Sequence, residues 1–183
     1  MKWYFIVIPF IITGFLLIKK PTVTNVITKK ENSNMATPQA YTKAFNFTVG
    51  VEGGYNAKTA TNMGVTQGFY NGVANMYGLA QKSVKFLTKK EVSLIYYNHF
   101  WLGAGCNFLP DKMAIALFDS AVNHNVQPAR SMLIQSGYNL VNFLKIRKNY
   151  YGMLANMNKT NRDNYKGWIN RFNKLQSFIG VYV

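Results

Sequence analysis

Residues 110–123 read PDKMAIALFDSAVN, and this stretch sets the fold class. A proline in the first turn suits the start of a helix, and apolar side chains then recur at helical spacing. One carboxylate, Asp119, lies inside the apolar run. The pattern predicts a helix in the core of a mainly α domain, with Asp119 on that helix.

The sequence on both sides of residues 110–123 also predicts helices. Thr88 and Glu91 fit a capping box ahead of the sequence EVSLIYYNHFW. Residues 139–157 and 161–178 read as a helical pair. No long alternation of apolar and polar residues indicates a strand, so the domain is predicted to be mainly helical.

Nearer the N-terminus, the sequence predicts a helix followed by a polar loop. Pro38 suits the start of this helix, and Gly53–Gly54 suit its end. Residues 55–66 are short and polar, which indicates a loop or a small hairpin. Thr66 is then a possible N-cap for a second helix over residues 66–78.

The composition limits the chemistry that the chain can perform. With 183 residues and 49% hydrophobic residues, the chain is long and apolar enough for one packed domain. One cysteine, Cys106, and two histidines exclude a disulfide framework and leave little for a metal site, so we expect no metal and no cofactor. Carboxylate chemistry is confined to six acids: Glu31, Glu52, Glu91, Asp111, Asp119 and Asp163.

The formal net charge of +15 indicates a polyanionic partner. Nucleic acid, anionic lipid and an acidic wall polymer all fit the charge, but no groove-reading helix or base-stacking module is evident, so we expect no nucleic acid. The basic residues of the C-terminal part are expected on a solvated surface. They are Lys145, Arg147, Lys148, Lys159, Arg162, Lys166, Arg171 and Lys174.

Residues 3–18 read WYFIVIPFIITGFLLI and carry no charge. Lysines flank the run, and its length is near the lower limit of about 17 residues for a membrane helix. We therefore expect residues 1–20 to be a signal anchor and residues 21–37 a tether. A cleaved signal peptide and a true start at Met35 are the alternatives.

Glu52 is the acid with the most distinctive setting, because it follows the apolar sequence FTVGV and precedes Gly53–Gly54. The negative end of a helix dipole and apolar neighbours both raise the pKa of a carboxyl group. A carboxylic acid kept protonated near neutral pH can protonate the leaving group in glycoside cleavage. A surface glutamate before a turn is the alternative interpretation.

Four segments occur in a fixed order along the chain: EGGY from Glu52 to Tyr55, TNMGVT from Thr61 to Thr66, FWLGAGCNFLP from Phe100 to Pro110, and FDSAVNH from Phe118 to His124. This series resembles glycoside hydrolase family 108, which comprises lysozyme-like N-acetylmuramidases of bacteria and their phages. The resemblance extends over about residues 41–175. It implies a lysozyme-like single domain with a short hairpin or loop after the catalytic helix, preceded here by one transmembrane helix. Residues 38–125 would form the catalytic region, and residues 126–183 a peptidoglycan-binding-like helical region packed on it.

The resemblance also implies roles for particular residues. Glu52 matches the catalytic glutamate, and Thr66 matches the threonine of the family's G-I-T sequence. The expected substrate contacts are Tyr55, Asn62, Asp119 and Asn123. For Asp119, a buried acid with a structural role is the alternative interpretation, because buried charges are generally paired.

The chain departs from the family pattern in the stretch after EGGY. The family commonly has an acidic D-P-G-G sequence there, whereas residues 56–60 read NAKTA. A retaining mechanism needs a second carboxyl group about 5 Å from the first, and this loop has none. Hydrolysis by a positioned water and attack by the sugar's own hydroxyl both stay open.

The resemblance implies a lysozyme that cleaves the β-1,4 bond between N-acetylmuramic acid and N-acetylglucosamine, for host cell lysis or wall remodelling. The partners would be peptidoglycan glycan strands and, through residues 3–18, the bacterial inner membrane. The catalytic domain would lie in the periplasm as a monomer. A lytic transglycosylase and a non-catalytic wall-binding protein are the alternatives.

Overall fold

A computed structural model describes residues 35–52 and 54–183. Within these residues the chain forms seven α-helices and one two-stranded hairpin, which confirms the mainly α prediction. In chain order the elements are α1 (Pro38–Glu52), β1 (Thr61–Asn62), β2 (Val65–Thr66), α2 (Gln67–Val73), α3 (Lys89–Tyr96), α4 (Asp111–His124), α5 (Val126–Gln135), α6 (Leu140–Met157) and α7 (Lys159–Ile179). Short 3₁₀ turns cover Asn75–Tyr77, Val84–Phe86 and Cys106–Phe108, and a π-helical segment, Tyr97–Leu102, continues α3.

Helix α4 is the central element of the domain. Residues 113–122 are buried without interruption, so the helix is covered on every side. A helix that is apolar around its circumference belongs inside a protein, and α1, α5, α6 and α7 accordingly pack against α4. One hydrophobic cluster includes side chains from all seven helices, as expected for a single domain.

Helices α1 and α4 pack against each other. At their starts, Thr37 donates from its backbone N–H to Asp111 Oδ1 at 2.8 Å and from its hydroxyl to Oδ2 at 2.9 Å. Farther along, the rings of Tyr41 and Phe118 meet edge to face at 5.8 Å. These contacts fasten the first half of α1 to α4.

The hairpin turns through two residues, Met63 and Gly64, both with positive φ (46° and 83°). Thr61 pairs with Thr66 and Asn62 with Val65 in an antiparallel register. Positive φ at both positions is the backbone of a type I′ turn, the connection that matches the twist of paired strands. This confirms the small hairpin expected after α1.

The capping box predicted before α3 is present. The Thr88 hydroxyl accepts from the Glu91 N–H at 3.2 Å, and Glu91 Oε2 accepts from the Thr88 N–H at 2.8 Å. The predicted C-terminal pair also forms, as α6 and α7, with Asn139 and Asn158 as N-caps.

The predicted anchor, residues 1–20, lies outside the described residues. Within residues 35–52 and 54–183, no helix combines the length and apolar character needed to cross a membrane. Of the predicted tether, residues 35–37 are described, and they are attached to the domain. Ala36 donates to the Asn107 carbonyl at 3.2 Å, and Thr37 bonds to Asp111. These residues therefore belong with the domain rather than with a tether.

Candidate active site

Glu52 is the last residue of α1, so the helix begins and ends where the sequence predicted. At the C-terminal end of a helix, the unpaired carbonyl groups create a partial negative charge. An acid there favours its protonated form more than the same acid in water. The backbone position of Glu52 is thus compatible with a general acid.

Thr66 ends β2 and begins α2. Its hydroxyl oxygen accepts a hydrogen bond from the Phe69 N–H at 3.2 Å, so the N-cap prediction is confirmed. A threonine hydroxyl that accepts one bond still has a hydrogen to donate. The capping role therefore leaves Thr66 chemically able to bind a water or a sugar.

Tyr55 lies in the loop between α1 and the hairpin, and 42% of its surface is exposed. The ammonium of Lys85 lies 5.9 Å from the centre of its ring. Tyr55 is therefore open to a ligand, as a substrate contact must be.

Asn62 is buried and has a structural partner. Its side-chain amide donates to the Val84 carbonyl at 2.9 Å and lies 3.4 Å from the Leu87 carbonyl. The residue thus fastens the hairpin to the turn at Val84–Phe86. A direct sugar contact was expected at Asn62. The side chain is instead buried and bonded to the Val84 carbonyl, so it supports the hairpin from inside the fold.

Asp119 is buried and forms two ion pairs. Its Oδ2 lies 2.6 Å from Arg147 Nη2, and its Oδ1 lies 2.7 Å from Arg171 Nη2. Burial raises the pKa of Asp119, but the charges of Arg171 and Arg147 outweigh burial and hold the pKa at about 2. The sugar contact expected at Asp119 conflicts with this geometry, because both oxygens are occupied and the residue has no exposed surface. The alternative interpretation of a paired structural acid fits instead.

Asn123 belongs to the same cluster. In the orientation that satisfies both ends of its amide, its oxygen accepts from Arg171 Nε at 2.8 Å and from Arg147 Nη2 at 3.1 Å. The hydroxyl of Tyr151 accepts from Arg147 Nη2 at 2.9 Å. Asn123 therefore has partners in the protein, although it is half-exposed and its outer side remains open to a ligand.

His124 closes this cluster at the end of α4. Its ring packs against Tyr150 and Tyr151, with centroids 5.1 and 4.9 Å away. Burial, and then the charge of Arg147, lower the pKa of His124 well below its usual range. The imidazole is therefore neutral in the folded protein at neutral pH.

Arg147 and Arg171 were expected on a solvated basic surface, and this expectation was wrong, because both are buried and paired with Asp119. The helical spacing of α6 indicates a buried position for Arg147, which lies three residues after Leu144 and four before Tyr151. Those neighbours mark the buried face of α6, so an arginine between them needed a buried acid as partner.

Comparison with known proteins gives one match. Residues 45–124 match the family model described as glycosyl hydrolase 108. No curated protein and no solved structure matches the chain significantly. The matched segment runs from within α1 to the end of α4, and all six candidate site residues lie in it. Residues 45–124 are thus similar to glycosyl hydrolase 108, which supports a peptidoglycan-hydrolysing glycosidase in general.

Proposed function

We propose that the chain is a lysozyme, an N-acetylmuramidase that cleaves the β-1,4 bond between N-acetylmuramic acid and N-acetylglucosamine. The observation that carries the proposal is the match of residues 45–124 to glycosyl hydrolase 108, with Glu52 at the end of α1 inside that segment. Glu52 is the general acid. The helix terminus favours its protonated form, from which it protonates the glycosidic oxygen as the bond breaks.

The other acids of the described residues are engaged elsewhere. Asp119 is paired with two arginines, Glu91 with Lys82 at 2.6 Å, and Asp111 with Thr37. Asp163 lies on α7 and pairs with its neighbour Lys159. The hairpin carries no acid at all. Among the described residues, no second carboxylate is therefore free to act as the nucleophile that a covalent intermediate requires.

Single displacement is the mechanism that this set of residues supports best. The Thr66 hydroxyl orients a water, the water oxygen bonds to the anomeric carbon and releases one proton to solvent, and the leaving sugar oxygen takes the Glu52 proton. Glu52 returns to its acid form by taking up a proton from solvent. The products are a reducing N-acetylmuramic acid end and a new non-reducing end.

A lytic transglycosylase is the second candidate, and the missing second carboxylate favours it. There the C6 hydroxyl of the muramic acid, rather than water, bonds to the anomeric carbon. Glu52 protonates the leaving oxygen and then accepts the proton of that hydroxyl. The product is a 1,6-anhydro end, one water lighter than the hydrolytic product.

Mass spectrometry of released muropeptides separates the two candidates. Purified peptidoglycan is incubated with the wild-type chain and with Glu52→Gln, and Asp163→Asn serves as the control for loss of an exposed acid. Reducing ends in the wild-type and control digests, and none with Glu52→Gln, support the muramidase. Anhydro ends support the transglycosylase, and sedimentation with sacculi without any release supports a non-catalytic binding protein.

We also propose that residues 3–18 hold the chain in the bacterial inner membrane, with the catalytic domain in the periplasm as a monomer. The apolar run and its flanking lysines support the anchor, and the basic charge fits an anionic wall. The same arrangement serves host cell lysis or wall remodelling. Membrane fractionation with N-terminal sequencing of the mature chain tests it, since a cleaved signal peptide would remove the run.

A further inference from the structure

The turn at Val84–Phe86 is fixed to the hairpin and to α2. The Asn62 amide donates to the Val84 carbonyl at 2.9 Å, as described above. From the other side, Gln67 Oε1 accepts from the Val84 N–H at 2.9 Å, and Gln67 Nε2 donates to the Lys82 carbonyl at 2.9 Å. Val84 is fully buried. The backbone of this turn is therefore a rigid support for the side chains that point outward from it.

Two of those outward side chains meet a third from the loop after α1. Lys85 Nζ lies 5.9 Å from the ring centre of Tyr55 and 5.9 Å from that of Phe86. Tyr55 is 42% exposed and Phe86 is 65% exposed. We call this group the Tyr55–Lys85–Phe86 platform. It brings one cation near two exposed aromatic rings, and two of its three side chains come from the fixed turn.

The charge of Lys85 is not neutralised by a neighbouring acid. The nearby carboxylate of Glu91 lies 2.6 Å from Lys82 instead. Among the ion pairs of residues 35–52 and 54–183, none involves Lys85. The two rings stabilise the ammonium only weakly at an exposed site, so the lysine keeps its capacity to bind an anion.

The platform is close to the proposed catalytic acid along the chain. Tyr55 follows Glu52 by three residues, a separation of at most about 11 Å between their Cα atoms. A glycan strand with its scissile bond at Glu52 would therefore pass within reach of Tyr55.

We propose that the Tyr55–Lys85–Phe86 platform is a substrate subsite that recognises a carboxylate-bearing sugar residue of the glycan. This inference rests on the proposed function and names the feature of the substrate that the site selects. The apolar C–H face of the sugar packs on an aromatic ring, and the Lys85 ammonium pairs with the carboxylate. A chitin strand offers the same sugar face without a carboxylate.

The carboxylate has two sources in peptidoglycan. In strands stripped of peptide it is the free lactyl group of muramic acid. In intact strands that group is joined to the peptide by an amide bond, and the carboxylates belong to the stem peptide. The same ammonium can pair with either, so the test includes both forms.

The test measures binding in the Glu52→Gln background, so that no cleavage occurs during titration. Calorimetry compares peptide-free glycan strands, peptide-bearing strands and chitin oligosaccharides. Lys85→Gln is expected to weaken binding of the carboxylate-bearing form by roughly fivefold, the upper range for an exposed ion pair, and to leave chitin binding unchanged. Phe86→Ala is expected to weaken all forms by roughly tenfold through loss of ring contact.

Lys90→Gln is the matched control, because Lys90 is an exposed lysine five residues away with the same charge. Equal losses for Lys85→Gln and Lys90→Gln would show a general charge effect and overturn the subsite. So would an unchanged ratio of peptidoglycan to chitin affinity in Lys85→Gln, or no glycan binding at all. If Lys85→Gln weakens binding of peptide-free strands, the bound carboxylate is the lactyl group. If it weakens binding of peptide-bearing strands, the carboxylate belongs to the stem peptide.

Failure here is distinguishable from failure of the proposed function. Suppose that the wild-type chain releases muropeptides and that Lys85→Gln still prefers carboxylate-bearing glycan over chitin as strongly as before. The lysozyme proposal then stands and the subsite is wrong. If the wild-type chain releases nothing but Lys85→Gln loses the preference, the platform binds glycan in a protein that is not an enzyme.

Discussion

At the scale of single residues, Asp119 determines how the halves of the chain are joined. Its carboxylate is on α4, and its partners Arg147 and Arg171 are on α6 and α7. A buried charge without its partner is costly, because desolvation is no longer compensated. The cluster therefore makes α6 and α7 depend on α4 for their stability.

We expect Asp119→Asn to lower the free energy of unfolding by about 3–5 kcal/mol, because it removes the buried negative charge that pairs with Arg147 and Arg171. Urea denaturation measures the change. Asp163→Asn, which removes an exposed acid paired with Lys159, is expected to cost less than about 1 kcal/mol. Similar small losses for both variants would contradict the buried ionic cluster.

Asp119 and His124 affect stability in different pH ranges, so the pH dependence of unfolding tests the two residues separately. The folded pKa of Asp119 is about 2, below its ordinary value of 3.8. A lowered carboxyl pKa contributes stability that is present above pH 4 and is lost as the pH falls from about 4 to about 2. The loss is worth about 2 kcal/mol. Unfolding free energies measured across pH 2–5 should fall over this interval, and a flat profile would contradict the pairing.

His124 acts in a higher pH range. The pKa of His124 in the folded chain lies well below the usual value. At mildly acidic pH the imidazole therefore binds a proton in the unfolded chain but not in the folded chain. Stability is therefore expected to decrease as the pH falls below about 6.5. His124→Gln should show a smaller decrease between pH 7 and pH 5 than the wild-type chain does. Parallel profiles for the two proteins would contradict a neutral imidazole at this position.

At the scale of elements, the hairpin connects the end of α1 to the start of α2. Its turn depends on Gly64, whose φ of 83° is a conformation that side chains with a Cβ rarely adopt. The turn fixes the register of Thr61 with Thr66, and so the position of the Thr66 hydroxyl.

Gly64→Ala is expected to lower the free energy of unfolding by about 1–2 kcal/mol, because alanine in left-handed backbone is strained. Gly72→Ala is the control, since Gly72 lies in α2 with open space where a Cβ would be added. That variant is expected to be stabilised by about 0.5–1 kcal/mol, because alanine favours the helix. Thermal unfolding of both variants checks the prediction, and equal effects would contradict the assigned turn.

The helices could be predicted from sequence where local signals and burial agree. Helix α1 begins at Pro38 and ends at Glu52 as expected, and α3 begins at the Thr88 capping box. The π-helical segment after Tyr96 was not predicted, because its residues share the apolar spacing of an α-helix. The role of Asn62 was also missed, since its carbonyl partners around Val84 are 22 residues away in the chain.

The candidate site was predictable to a similar degree. Glu52 and Thr66 lie at a helix end and a helix start that local rules identify. Asp119 was mistaken for a substrate contact because its partners, Arg147 and Arg171, come from distant helices. A resemblance in sequence indicates which residues matter, but the contact partners depend on the packing of α4 against α6 and α7.

At the scale of the whole molecule, the match to glycosyl hydrolase 108 ends at residue 124, whereas the packed domain continues to the C-terminus. Trp168, Phe172 and Leu175 of α7 are buried in the same cluster as α4. The C-terminal helices therefore complete the core that supports the candidate site.

A chain that stops after His124 is expected to lose cooperative folding, because Asp119 and the apolar face of α4 would be exposed. A chain that starts at Met35 keeps the described contacts of Ala36 and Thr37, and we expect it to unfold cooperatively. Urea denaturation followed by circular dichroism compares the two. Cooperative unfolding of the chain that ends at His124 would contradict this expectation, because it would show that the catalytic region folds without residues 126–183.

The central claim is that Glu52 is the general acid of a glycosidase that cuts peptidoglycan. The most direct test is the release of soluble muropeptides from purified sacculi by the wild-type chain, Glu52→Gln and Asp163→Asn, each confirmed as folded. We predict release with reducing N-acetylmuramic acid ends by the wild-type chain and Asp163→Asn. For Glu52→Gln we predict a loss of at least about 100-fold, the lower range for removal of a general acid. Undiminished release by a folded Glu52→Gln protein would contradict the account.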